Sequence, residues 1–246
     1  YYSTTTTMTK CKFEHQPRLK LYYFDVKGKG EAIRLFCAYS GLELEDYRFA
    51  SRDEFTAMKE SGELPFGQVP LLEVQKKDDE EETKHHLVQM ASILRYLSKL
   101  ASLEEQDPLV AAKVDAALDQ EADTFMGPTI AIYSTRHGFT FNDEQKEKVF
   151  NSISTEVLPR HLGNIEKILK ASTTGWIANT KDPSIADFVW YVRLNDSLPG
   201  MKDLSDKIKS LEDYPACKTF VEKFKELETI KKYYAPADPA PAKTEK

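Results

Sequence analysis

Leu19-Lys20-Leu21-Tyr22-Tyr23-Phe24-Asp25-Val26-Lys27-Gly28-Lys29-Gly30-Glu31-Ala32-Ile33-Arg34 is the stretch whose reading decides the fold. Its first six residues are rich in β-formers, so order begins with a strand. Gly28 and Gly30 punctuate the chain, and residues 31–39 follow with Ile33, Phe36 and Cys37 on a helical period that Gly41 ends. Residues 46–49 read as a second strand and 53–59 as a short helical turn. Residues 69–74 form a third strand, whose leading proline argues for an edge position or a special peptide bond. His86-Leu87-Val88 resumes a strand, and 89–100 is a helix with Ile93, Leu94 and Leu97 on one face. The order β-α-β and then β-β-α describes a small α/β unit with a mixed sheet.

Past Pro108 the strand signals stop. Helical spacing marks 110–133, 144–170, 185–194 and 215–227, and Pro159 inside the second of these predicts a kink. The Thr-rich start, 1–18, has no apolar period and reads as a mobile extension. The charged run 76–84 reads as a solvated hairpin loop, and 236–246 as a disordered low-complexity tail. The layout is therefore an α/β unit over 19–100 and an all-helical one over 106–235.

Composition excludes several classes. The net charge is −6 and the basic residues are interleaved with acids, so no face is built for nucleic acid. No apolar run approaches the ~18 residues that span a bilayer, and the N-terminus lacks a secretory pattern. Three scattered cysteines, Cys11, Cys37 and Cys217, suit neither a disulfide framework nor a zinc site. A cytoplasmic protein with reduced thiols is the expectation.

Four segments together resemble the cytosolic glutathione transferases. They are Leu21 through Arg34 as quoted, Leu64-Pro65-Phe66-Gly67-Gln68-Val69-Pro70-Leu71-Leu72-Glu73, Gln89-Met90-Ala91-Ser92-Ile93-Leu94-Arg95-Tyr96-Leu97, and Ser184-Ile185-Ala186-Asp187-Phe188. The variety they most resemble is the sigma class, which includes invertebrate detoxification enzymes, haematopoietic prostaglandin D synthases and lens crystallins. The resemblance implies a thioredoxin-like glutathione-binding domain, an all-helical domain, a homodimer, glutathione as co-substrate and a small hydrophobic electrophile as partner.

Residue by residue, the resemblance puts Tyr23 in the catalytic position. A donor aimed at sulfur favours the thiolate over a thiol that titrates near ~8.5. On sequence alone, Tyr22 and Tyr23 read as packing residues that point to opposite faces. Lys29 stands where sigma enzymes carry a supporting Arg, though it is a point charge without a guanidinium fork. Pro70 is expected to follow a cis bond that turns the Val69 backbone toward the cysteinyl part of glutathione. Gln89 opens a helix whose N-terminus suits the γ-glutamyl carboxylate. Met90 replaces the usual Ser or Thr, whose loss costs about 1.5–3 kcal/mol. Lys59 is the candidate for the glycine carboxylate, Gln68 replaces a common Lys, and Phe55 replaces a Trp. Asp123, or Asp119 one turn earlier, resembles the acid supplied by the second subunit. Phe24, also a candidate to contact glutathione, lines the electrophile pocket with Phe125 and Tyr133 in the resemblance, with core packing the alternative for each. Ser184 and Asp187 have capping-box spacing.

A thiol-disulfide oxidoreductase would need a cysteine at the strand-to-helix turn, and residues 24–30 contain none. A non-catalytic relative, or a glutathione-dependent isomerase or peroxidase, stays open, because Met90, Phe55 and Gln68 also read as erosion of the site.

Overall fold

The computed structural model describes residues 16–76, 83–202 and 204–236. Cys11, most of the extension, most of the charged hairpin and residues 237–246 lie outside these. The first strand, β1 (Arg18–Phe24), alternates, with Leu19, Leu21 and Tyr23 buried between more open neighbours. It leads into α1 (Gly28–Ser40), whose residues 30–37 are all buried and which ends on Gly41 in the left-handed region. β2 (Glu45–Phe49) pairs parallel to β1. Next, α2 (Arg52–Glu60) is capped by Ser51, which accepts the Glu54 N–H. β3 (Leu71–Gln75) runs antiparallel to β1, β4 (Lys84–Val88) antiparallel to β3, and α3 (Met90–Leu100) follows.

The sheet order is β2-β1-β3-β4, so β3 is interior and the edge position expected from Pro70 is wrong. The alternative holds, because the Val69–Pro70 bond is cis. Pro70 precedes the first ladder residue, so its missing N–H takes no hydrogen bond from the sheet.

The helical part opens with α4 (Pro108–Ile132), whose cap Asp107 accepts from Leu109 N and Val110 N at 2.8 and 3.0 Å. After a 3₁₀ turn come α5 (Asp143–Ser152) and α6 (Leu158–Ala171). A π turn over Ile153–Val157 joins them without a break, so the helical run expected over 144–170 holds and the disturbance expected at Pro159 takes the form of this widened turn. Pro159 has no N–H for Thr155, and the widened turn lets Leu158 N–H reach Ile153 O instead. The device recurs beyond α7 (Ile185–Val192), where a π turn over Arg193–Ser197 precedes Leu198-Pro199 in α8 (Leu198–Gly200). Then come α9 (Asp206–Ser210), α10 (Pro215–Lys225) and a helix the sequence did not announce, α11 (Glu228–Tyr234).

Every residue of α7 is buried. Phe188 meets Phe36 of α1 at 5.3 Å and Phe224 of α10 at 5.0 Å, and Trp190 donates to Ala117 O at 2.8 Å. The core is therefore continuous from the sheet side through α1 into the helices. Among the described residues, no helix is long and apolar enough to cross a membrane.

Candidate functional site

Strand register brings the predicted residues together. Tyr22 pairs with Leu71, and Leu71 with Val88. One step further, Tyr23 lies next to the last residue of β1, Pro70 enters β3 and Gln89 leaves β4, all at one end of the sheet. Strands about 4.8 Å apart make this row roughly 10 Å long, which suits a bound tripeptide.

Tyr23 is 9% exposed, and its hydroxyl accepts the Lys29 N–H at 3.1 Å. Two glycines make room for the ring. A Cβ on Gly28, whose φ is +45°, would lie 2.7 Å from the hydroxyl, and one on Gly30 would lie 2.6 Å from Cδ1. Burial raises the phenol above its ordinary range, against the Lys29 N–H and the charges of Arg193 and Arg34. The group is thus a neutral donor near pH 7. Tyr22 faces away, with its ring against Tyr47 and its hydroxyl 3.5 Å from Glu73.

Arg34 fixes the loop beneath this hydroxyl. Its Nη1 donates to Val26 O at 2.9 Å, its Nε to both Asp46 oxygens at 3.0 Å, and its guanidinium lies 5.8 Å from the Tyr23 ring centre. The Lys29 side chain is exposed, yet its ammonium is held below its ordinary value by neighbouring protein and then by Arg193, while Glu121 opposes both.

At the other end of the row, Gln89 has φ 71°, a backbone conformation rare outside glycine and enriched at functional sites. Among the described residues, no side chain caps α3 there, so its first N–H groups are open to an anion. Met90 is buried in the core. Gln68 is exposed and Val69 half-buried, and the Lys59 side chain lies over the same loop, its Cε 3.1 Å from where a Cβ on Gly67 would be.

Phe24 packs among Tyr23, Phe49 and Phe55, with Phe55 nearest at 5.1 Å. Phe55 therefore serves to hold α2 on the sheet. Asp123 and Asp119 stand exposed on α4 and make no hydrogen bond or ion pair to the row among the described residues. Phe125 is buried, and Tyr133 is 45% exposed with Arg136 over its ring.

Sequence reading missed Arg193. It pairs through Nε with the buried Glu121, and its guanidinium lies 4.6 Å from the Phe125 ring centre. The one signal was Pro199, just beyond the helix expected over 185–194, because the π turn that carries Arg193 precedes that proline.

The family model described as "Glutathione S-transferase, C-terminal domain" matches residues 133–237. Glutathione S-transferase 1 of Ascaris suum is 35% identical, over 89% of this chain and 96% of that protein. Hematopoietic prostaglandin D synthase of Gallus gallus is 31% identical, over 84% of this chain and 96% of its own length. Among solved structures, a monomeric glutathione S-transferase, Na-GST-3 of the hookworm Necator americanus, superposes with a TM-score of 0.66 at 27% identity. That likeness covers 88% of this chain and 95% of the other.

Proposed function

The chain belongs to the glutathione transferase family, and on that footing we propose that it conjugates reduced glutathione to small hydrophobic electrophiles through a thiolate held by Tyr23. The observation that carries this is the buried, protonated Tyr23 hydroxyl in one row with Pro70 and Gln89. The Lys29 N–H donates to the phenol oxygen, which polarises the O–H and strengthens its donation to sulfur. The Lys29 charge adds to the same effect. The thiol proton leaves to solvent, the sulfur lone pair forms the S–C bond, and the leaving group departs with its electrons.

The Val69 backbone pairs with the cysteinyl part of glutathione, as a strand would. The γ-glutamyl carboxylate sits at the N-terminus of α3, bonded by Gln89. Met90 contributes no hydroxyl, which weakens that end. Lys59 and Gln68 take the glycine carboxylate. Asp123 of a second copy completes the γ-glutamyl end, so the working form is a homodimer, and a sedimentation mass of one chain would remove that part. The sigma-class reading and a cytoplasmic setting belong to the same proposal.

The test is retention of the full chain on immobilised glutathione, paired with turnover of a chloronitroaromatic. Both are expected, and Tyr23→Phe should keep retention while conjugation falls about 10- to 100-fold, as for one lost charge-assisted hydrogen bond. Retention without turnover in the native chain would make it a binding protein instead. The likeness to a prostaglandin D synthase favours one second reading, isomerisation from the same thiolate.

A further inference from the structure

Arg193 belongs to the helical part, yet its turn lies against the loop of the sheet site. The π turn that carries it is tied to the loop under Tyr23 by Lys27 and Asp196, whose charges meet at 2.6 Å. Glu121 takes Arg193 Nε from one side, Phe125 supports the guanidinium face, and Nη1 reaches Ser197 Oγ at 3.4 Å. The charge acts on the Tyr23 hydroxyl and on the Lys29 ammonium. A mostly buried guanidinium is costly to dehydrate, and one buried carboxylate is a modest return for it. Lys29 brings a point charge but no planar fork to the sulfur.

We propose that Arg193 is a further catalytic residue, holding the thiolate form of glutathione from the helical side of the cleft. Glu121 is its positioning residue. The inference rests on the thiolate reading above and deepens it. The guanidinium absent from position 29 is supplied in space from a position more than 160 residues along the chain.

The test compares the native chain with Glu121→Gln/Arg193→Met, which leaves no buried charge unpaired, and with Arg193→Lys. The readouts are the pH profile of kcat/KM and the ultraviolet absorbance of bound thiolate. In the double variant the midpoint of both is expected to rise by about one pH unit. Activity would then fall about tenfold below that midpoint and stay nearly unchanged above it. Arg193→Lys should recover most of the shift. An unmoved midpoint, with activity intact or lowered equally at every pH, would overturn the assignment while leaving Tyr23 in place. Absence of bound thiolate in the native chain would overturn both.

Discussion

At the residue scale the site depends on what is missing as much as on what is present. Tyr23 reaches its position because Gly28 and Gly30 have no Cβ, and the tighter approach is at Gly30. Gly30→Ala is therefore expected to keep the fold, since alanine suits a helix better than glycine. The ring must shift, however, and conjugation should fall at least tenfold, because small misplacement of a reacting group is costly. Native kcat/KM in that variant would show that the ring position does not matter. The resemblance singled out Tyr23, Pro70 and Gln89, which strand register sets in one row. Arg193 was not singled out, because neither its partner Glu121 nor the Phe125 ring is a sequence neighbour, and only folding places α4 and the turn after α7 together.

At the scale of elements, hydrophobic period located the strands and the longer helices, and it failed where proline changed the hydrogen bonding. Pro70 suggested an edge strand or a special peptide bond, and the second holds at the head of an interior strand, while the kink expected at Pro159 is a π turn, as also precedes Pro199. The short α11 escaped because its Tyr- and Lys-rich sequence packs through Ile230 and through Tyr234, which donates to Glu31 at 2.9 Å. The start of α7 was legible as a capping box, and the structure refines it. Asp187 accepts Ser184 N–H and Ser184 Oγ–H, both at 2.8 Å, and Ile177 N–H at 2.9 Å. Burial nonetheless pushes its carboxyl up to about 6 from an ordinary 3.8. The folded state thus holds this proton more tightly than the unfolded chain. The stabilisation is full below the ordinary value and is lost as pH rises through about 6. The stability margin of the native chain over Asp187→Asn should therefore narrow between about pH 4 and pH 7, by up to about 3 kcal/mol. Urea unfolding across that range measures it, and a widening margin would refute the sign.

For the whole molecule, the question is whether sheet and helices stand independently. The Phe36–Phe188 contact joins α1 to α7, Lys27–Asp196 joins the loop to the second π turn, and Tyr234 brings α11 back to α1. These contacts cross between the two units, so unfolding is expected in one cooperative step. Phe188→Ala should cost about 3–5 kcal/mol and destabilise both units equally. Trp176 and Trp190 report the helical part by fluorescence, and amide exchange in β1 reports the sheet. Separate transitions would mean that the row and Arg193 are not rigidly placed. The same fusion is why a charge from the helices can act at the end of β1.

The central claim is that the Tyr23 hydroxyl stabilises glutathione's sulfur as an anion, and the most direct measurement is the titration of bound thiol followed by thiolate absorbance. In the native chain the midpoint should lie well below the ~8.5 of an ordinary thiol, and Tyr23→Phe should return it by about 1–2 pH units toward that value. Identical midpoints in the two proteins, with glutathione bound in both, would contradict the account.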